Sequence, residues 1–111
     1  MKSVNRLAIA VTPREPYLAW ARAISDGSAA VDAMAESFTS VYLVDEPDVF
    51  DPDRLIRKHY ALIFEEQLNS WHRVESCWPK HRILAMFREW FDAKVVDMVW
   101  DLGRGPIEAD E

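Results

Sequence analysis

Residues 51–91, DPDRLIRKHYALIFEEQLNSWHRVESCWPKHRILAMFREWF, decide how this chain folds. Asp51-Pro52 is a helix start: the carboxylate accepts from a free N–H, and Pro supplies a helical φ where no donor is needed. Asp53 adds negative charge at the positive end of the helix dipole. The spacing predicts a helix over Asp51–Trp71. At about 100° per residue, Ile56, Tyr60, Ile63, Phe64, Leu68 and Trp71 fill one sector, which Leu55 and Leu62 extend. That sector covers roughly 240° of the circumference, against ~100° for a surface helix. Such a helix must be covered on two sides, by a sheet and by a neighbouring helix. A second helix is expected over Pro79–Phe91, with Ile83, Leu84, Met86, Phe87, Trp90 and Phe91 on one side. Arg82, Arg88 and Glu89 lie on the other. The short connection Arg73–Trp78 implies an antiparallel helix pair.

Before this stretch, Val4–Val11 alternates a larger face (Leu7, Ile9, Val11) with a small one (Ala8, Ala10). It reads as a strand buried on both faces, with the small face close under a helix. Thr12–Glu15 is read as a linker and Pro16 as the first residue of a helix that turns Tyr17, Leu18, Trp20, Ala21 and Ile24 inward and stops at Gly27. Ser28–Glu36 suits a short Ala-rich helix capped by Ser28. Ser40–Val44 is a second strand, joined to the first by a right-handed β-α-β crossover. After the helix pair, Lys94–Leu102 alternates as a third strand, with Val96, Met98, Trp100 and Leu102 facing one way. The expected fold is α+β: a two-layer domain with a small three-stranded mixed sheet covered by helices, in the order β-α-(α)-β-α-α-β. A single globular domain spans 1–103, and an acidic flexible tail follows over 104–111.

With 111 residues, half of them apolar, the chain buries enough surface to fold without staples. Its single cysteine, Cys77, excludes an internal disulfide framework and suits a reducing compartment. No apolar run reaches signal-peptide or membrane-span length, so the expected location is cytoplasmic, without a membrane partner. The net charge of −6, with no basic run, argues against nucleic acid.

Several segments occur together in a familiar order: Pro16-Tyr17-Leu18-Ala19-Trp20, Val41-Tyr42-Leu43, Ile63-Phe64-Glu65-Glu66-Gln67-Leu68 with Trp71, Trp78-Pro79, and Phe87-Arg88-Glu89-Trp90-Phe91. In this the chain resembles a family of short, uncharacterised bacterial proteins of about this length. The resemblance covers nearly the whole chain. It implies a bacterial setting but no activity, cofactor or site residue.

The polar residues form no familiar catalytic set. His59, Glu66 and Ser70 share one edge of the long helix. His59 and Glu66, however, stand roughly 10 Å apart along its axis, and no nucleophile elbow accompanies the serines. Glu65 points away from the core into solvent, whereas Glu66 at the rim is placed to meet a Lys or Arg from elsewhere. His72 and His81 flank the inter-helix turn with Cys77 between them, which falls short of a zinc ligand set. No metal or cofactor is expected. Asp45, Glu46, Asp48, Asp51 and Asp53 place five carboxylates in nine residues without the Gly and final Glu of a calcium loop. An acidic docking surface for a basic partner suits them better.

Five tryptophans are many for this length. Of these, Trp71 and Trp78 border the inter-helix turn and are expected to be partly exposed, and aromatics beside charged residues are the usual anchors of interfaces. The sequence therefore reads as a non-enzymatic protein–protein interaction module, with an unidentified partner or a second copy as homodimer. Its candidate contact residues are Trp71, Trp78, Asp45, Glu46 and Asp48. The alternative is a small-ligand-binding protein or enzyme with a pocket between the helix pair and the sheet, using His59, Glu66 and Asp97.

Overall fold

The computed structural model describes residues 2–24 and 28–110. The elements run β1 (Lys2–Ser3), β2 (Arg6–Pro13), α1 (Glu15–Ala23), α2 (Ser28–Ser37), β3 (Ser40–Asp45), α3 (Pro52–Trp71), a 3₁₀ turn (Glu75–Cys77), α4 (Leu84–Trp90), β4 (Phe91–Val96) and β5 (Trp100–Asp101). Helix and strand are mixed, as expected of an α+β chain. The expected stop at Gly27 falls outside the described residues, as does capping by the Ser28 side chain.

The sheet differs from the expected mixed one. β2 is central and pairs antiparallel with both β3 and β4. The reason lies between β2 and β3, where α1 and α2 pack on one another. Two helical passes return the chain to the end it left, so β3 must run back along β2. A parallel crossover needs a single pass.

Leu7, Ile9 and Val11 of β2 join one hydrophobic cluster with Tyr17, Leu18 and Ala21 of α1 and Ile63, Phe64 and Leu68 of α3. The larger residues of β2, not Ala8 and Ala10, thus lie against the helices. Cross-strand partners share a face, so Tyr42 and Val44 of β3 and Phe91, Ala93 and Val95 of β4 point the same way. The opposite face carries Val41 and Leu43, which are 61% and 52% exposed.

The long helix forms where its start signals place it. Asp51 caps it by accepting from the Arg54 N–H at 3.3 Å, and Asp53 pairs with Arg57 one turn on and with Arg88 of α4. Phe64 is wholly buried among aromatics, with ring centroids 5.3 Å from Phe91, 5.6 Å from Trp90 and 6.0 Å from Phe87. Tyr17 closes the cluster 5.2 Å from Phe91. Its hydroxyl donates to the Gln67 carbonyl at 2.6 Å, and burial pushes its pKa up.

Four other expectations are corrected. The second helix begins at Leu84, not Pro79, and residues 72–83 make a longer connection than the expected turn. His81 sits there in the left-handed region at φ 58°. Arg82 donates to the Pro79 carbonyl and stacks over Trp78, which holds the segment out of helix. Phe91 leaves the helix because its spacing satisfies two periods. It follows Phe87 at i+4 but also leads Ala93 and Val95 at period two, and pairing with Pro13 selects the strand.

The third strand breaks after Val96. Asn5 on the β2 side and Asp97 on the β4 side both bend. Beyond that kink, β5 pairs with β1 as a separate ribbon. Met98, Trp100 and Leu102 are exposed instead of forming an inward face. At the other end, Thr12 and Pro13 belong to β2, and α1 begins at Glu15, one residue before Pro16.

Gln67 is 1% exposed; its Nε2 donates to the Tyr42 hydroxyl at 2.8 Å, while its Oε1 has no partner among the described residues. A buried acceptor without a partner costs about 1–3 kcal/mol. Phe64→Ala is therefore expected to lose about 3–5 kcal/mol in urea unfolding. Gln67→Leu, which removes the orphan, should stay within about 1 kcal/mol of the parent. A loss at Gln67 as large as that at Phe64 would mean that the amide is fully satisfied.

Candidate functional site

Around the α3 axis, Phe64, Gln67 and Leu68 turn into the core, and this roll fixes where the other rim points. At 100° per residue, His59, Leu62 and Glu66 fall within about 60° of one another on that rim. They meet Tyr42, Leu43 and Val44 of β3 and Ile63 of α3 around a groove of about 400 Å³. Leu62 is 70% exposed. Its side of α3 was expected to be covered by sheet and neighbouring helix, yet the described residues leave it open.

β3 forms the other wall and is an edge strand. Alternate N–H and C=O groups of an edge strand point away from the sheet, which is why such strands accept added strands. The two edges differ in side chains. β4 carries Asp92 and Lys94 on the face shared with Val41 and Leu43. β3 is Ser-Val-Tyr-Leu-Val-Asp, uncharged until its last residue. Charge on an edge deters strand addition, and β3 carries it only at Asp45.

The polar groups of the groove are few. His59 is half-buried; burial lowers its pKa, reinforced by Lys58 and opposed by Asp45. Burial likewise raises the Tyr42 pKa, with the Gln67 hydrogen bond opposing. Glu66 has no ion pair among the described residues. The rim cation meets its neighbour instead: Arg82 reaches Glu65 at 3.4 Å, so Glu65 is not simply solvated. Ser70 donates to the Glu66 backbone carbonyl at 2.8 Å, a local helix bond that leaves the carboxylate alone. Two helical turns separate His59 from Glu66, too far to share one proton transfer directly.

The structure brings together only part of each expected set. His59 and Glu66 line one groove, but Asp97 lies in a separate depression with Leu7, Glu46, Pro47, Asp48 and Phe50. Among the described residues, neither of these two hollows brings all three together. Asp45, Glu46 and Asp48 line a third hollow at the end of β3, where Arg54, Arg57 and Lys58 balance much of their charge.

Trp71 and Trp78 are half-buried and hold the fold together. Trp71 Nε1 donates to the Ala21 carbonyl at 3.3 Å, and Trp78 Nε1 donates to the His72 carbonyl at 2.6 Å. Trp20 Nε1 reaches the Cys77 carbonyl at 2.9 Å. Among the described residues no three His, Cys, Asp or Glu side chains converge in a metal-binding group, the His72, Cys77 and His81 set included. Among the described residues, no helix is long and apolar enough to cross a membrane.

Sequence inspection missed Tyr42 and Gln67. The available signal was a lone amide at the centre of the apolar sector of α3. The edge character of β3 had no local signal, because it depends on which strands pair. Comparison with protein-family models, curated proteins and solved structures returns no match for the chain.

The His59 shift has a consequence for stability. Its folded pKa lies below the ordinary 6.5, so the unfolded chain binds the proton more readily. Stability from this group is intact above about pH 6.5 and falls as pH drops through the folded value. An NMR titration should place the imidazole below 6.5, and His59→Asn should flatten the acid limb of stability in that window. A value above 6.5 would mean that Asp45 or Glu66 outweighs burial.

Proposed function

We propose that this chain is a non-enzymatic protein–protein interaction module that takes an extended segment of a partner as a strand added to β3. In this reading the molecule has two layers, with helices on one face of the sheet. The partner lies along the β3 edge, beside α3. Its backbone bonds to the outward groups of β3, and its alternate side chains enter the groove lined by Tyr42, Leu43, Val44, His59, Leu62, Ile63 and Glu66. Strand addition obtains affinity from backbone hydrogen bonds and selectivity from pockets for alternate side chains.

One contrast carries the proposal: β3 is an edge free of charge up to Asp45 beside an exposed, mainly apolar groove, whereas β4 is guarded by Asp92 and Lys94 at its middle. The lining favours apolar residues at alternate positions of the partner. Asp45, Glu46 and Asp48, at the end of β3, favour a basic residue just beyond the added strand. Trp71 and Trp78 have committed their indole N–H groups to backbone carbonyls, which leaves ring faces alone for contact. The resemblance and the lone Cys77 favour the bacterial cytoplasm as the setting.

Display of random peptides against the folded protein tests this. Enriched peptides should alternate apolar residues and bind Leu43→Lys and Leu62→Lys variants about tenfold more weakly or worse, a loss of about 1.4 kcal/mol. The variants should keep the parent circular dichroism and melting behaviour, since both side chains are exposed. Peptides that bind both variants as tightly as the parent would overturn the proposal.

A further inference from the structure

We infer that the segment added to β3 is β3 of a second copy of this chain, so that two copies join across a two-fold axis into one six-stranded sheet. This deepens the strand-addition reading and rests on it.

The groove supplies the symmetry. Its strand wall runs Tyr42–Val44, centred on Leu43, and its helix wall runs from His59 to Glu66, centred between Leu62 and Ile63. One axis perpendicular to the sheet can therefore serve both walls. Antiparallel pairing must match residues on the same face, because a one-residue slip turns every side chain over. With Leu43 opposite Leu43 of the second copy, Tyr42 faces Val44 and Val41 faces Asp45. The exposed leucines meet on the open face, and Tyr42 and Val44 continue the helix-side apolar surface.

Charge selects the antiparallel arrangement. The acidic end of β3, Asp45-Glu46-Pro47-Asp48, then lies beside the neutral Phe38-Thr39-Ser40-Val41 of the other copy. A parallel arrangement would stack each carboxylate on its own image. The same axis sets the two α3 helices side by side and antiparallel, with their exposed Leu62 side chains in contact. On this rim Lys58 and His59 lie on one side of Leu62 and Glu66 on the other. Reversal therefore brings Lys58 of each helix against Glu66 of the other. Glu66 has no cation within its own chain among the described residues, and the second copy provides one. The exposed Leu62 and Leu43 are covered by the same event.

Sedimentation equilibrium on the parent and three variants tests the pairing. The parent should be a dimer that dissociates on dilution. Leu62→Lys and Glu66→Lys should each weaken it about tenfold or more, the second by setting Lys against Lys58. Adding Lys58→Glu to Glu66→Lys should recover most of the loss, because the charges then complement across the axis in reverse. A parent that stays monomeric at every concentration overturns self-pairing alone. Strand addition by another protein would fall only if displayed peptides bound Leu43→Lys and Leu62→Lys as tightly as the parent. A dimer unchanged by Leu62→Lys and Glu66→Lys overturns the self-pairing as well, and places the contact on another surface.

Discussion

The seating of Phe64 among Phe87, Trp90 and Phe91 is the contact on which the rest depends. These rings belong to α3, α4 and β4, so one cluster ties the longest helix to the edge of the sheet remote from β3. A helix has only one free rotation about its axis. Once Phe64, Gln67 and Leu68 point inward, His59, Leu62 and Glu66 must line the opposite rim beside β3. The groove is thus a geometric consequence of the core. Tyr17, held by the Gln67 carbonyl, and Trp71, held by the Ala21 carbonyl, bring α1 into the same arrangement.

The sheet sets the second condition. β2 pairs antiparallel with both β3 and β4, and three strands leave two edges. One edge continues directly from α4 into β4 and carries Asp92 and Lys94. The other follows α2, carries Val41, Tyr42, Leu43 and Val44, and ends at a turn of carboxylates. Apolar side chains on an unguarded edge cost a monomer in solubility and give an interface its affinity. Reading β3 as a docking edge accounts for Leu43, Leu62 and the uncompensated Glu66 together.

How far the sequence carried this account varies along the chain. The start of α3 was fully legible, since Asp51 and Pro52 act through local backbone chemistry. The period-two patterns located β2 and β3, although β2 runs on to Pro13 through residues read as a linker. The start of α4 was not legible, because Arg82 and Trp78 fix residues 78–83 by tertiary contacts that no helical wheel contains. Phe91 satisfied two periods, and only pairing with Pro13 separated them. The parallel sense failed on the weight given to the second helix before β3. Of the site, the shared rim of His59 and Glu66 was visible on the wheel. Leu62 was taken for core on the same wheel, since a hydrophobic pattern marks what must be covered without saying by which chain. Asp97 could not be separated from that site, because its place depends on the kink that divides β4 from β5.

Amide hydrogen exchange along Ser40–Asp45 tests the central claim most directly, comparing the free chain with the chain carrying an added strand, whether a second copy or a displayed peptide. The account predicts that alternate β3 amides, those directed away from β2, slow markedly on assembly while the β4 amides keep their rates. Protection gained along β4, or β3 rates identical in the free and assembled states, would contradict it.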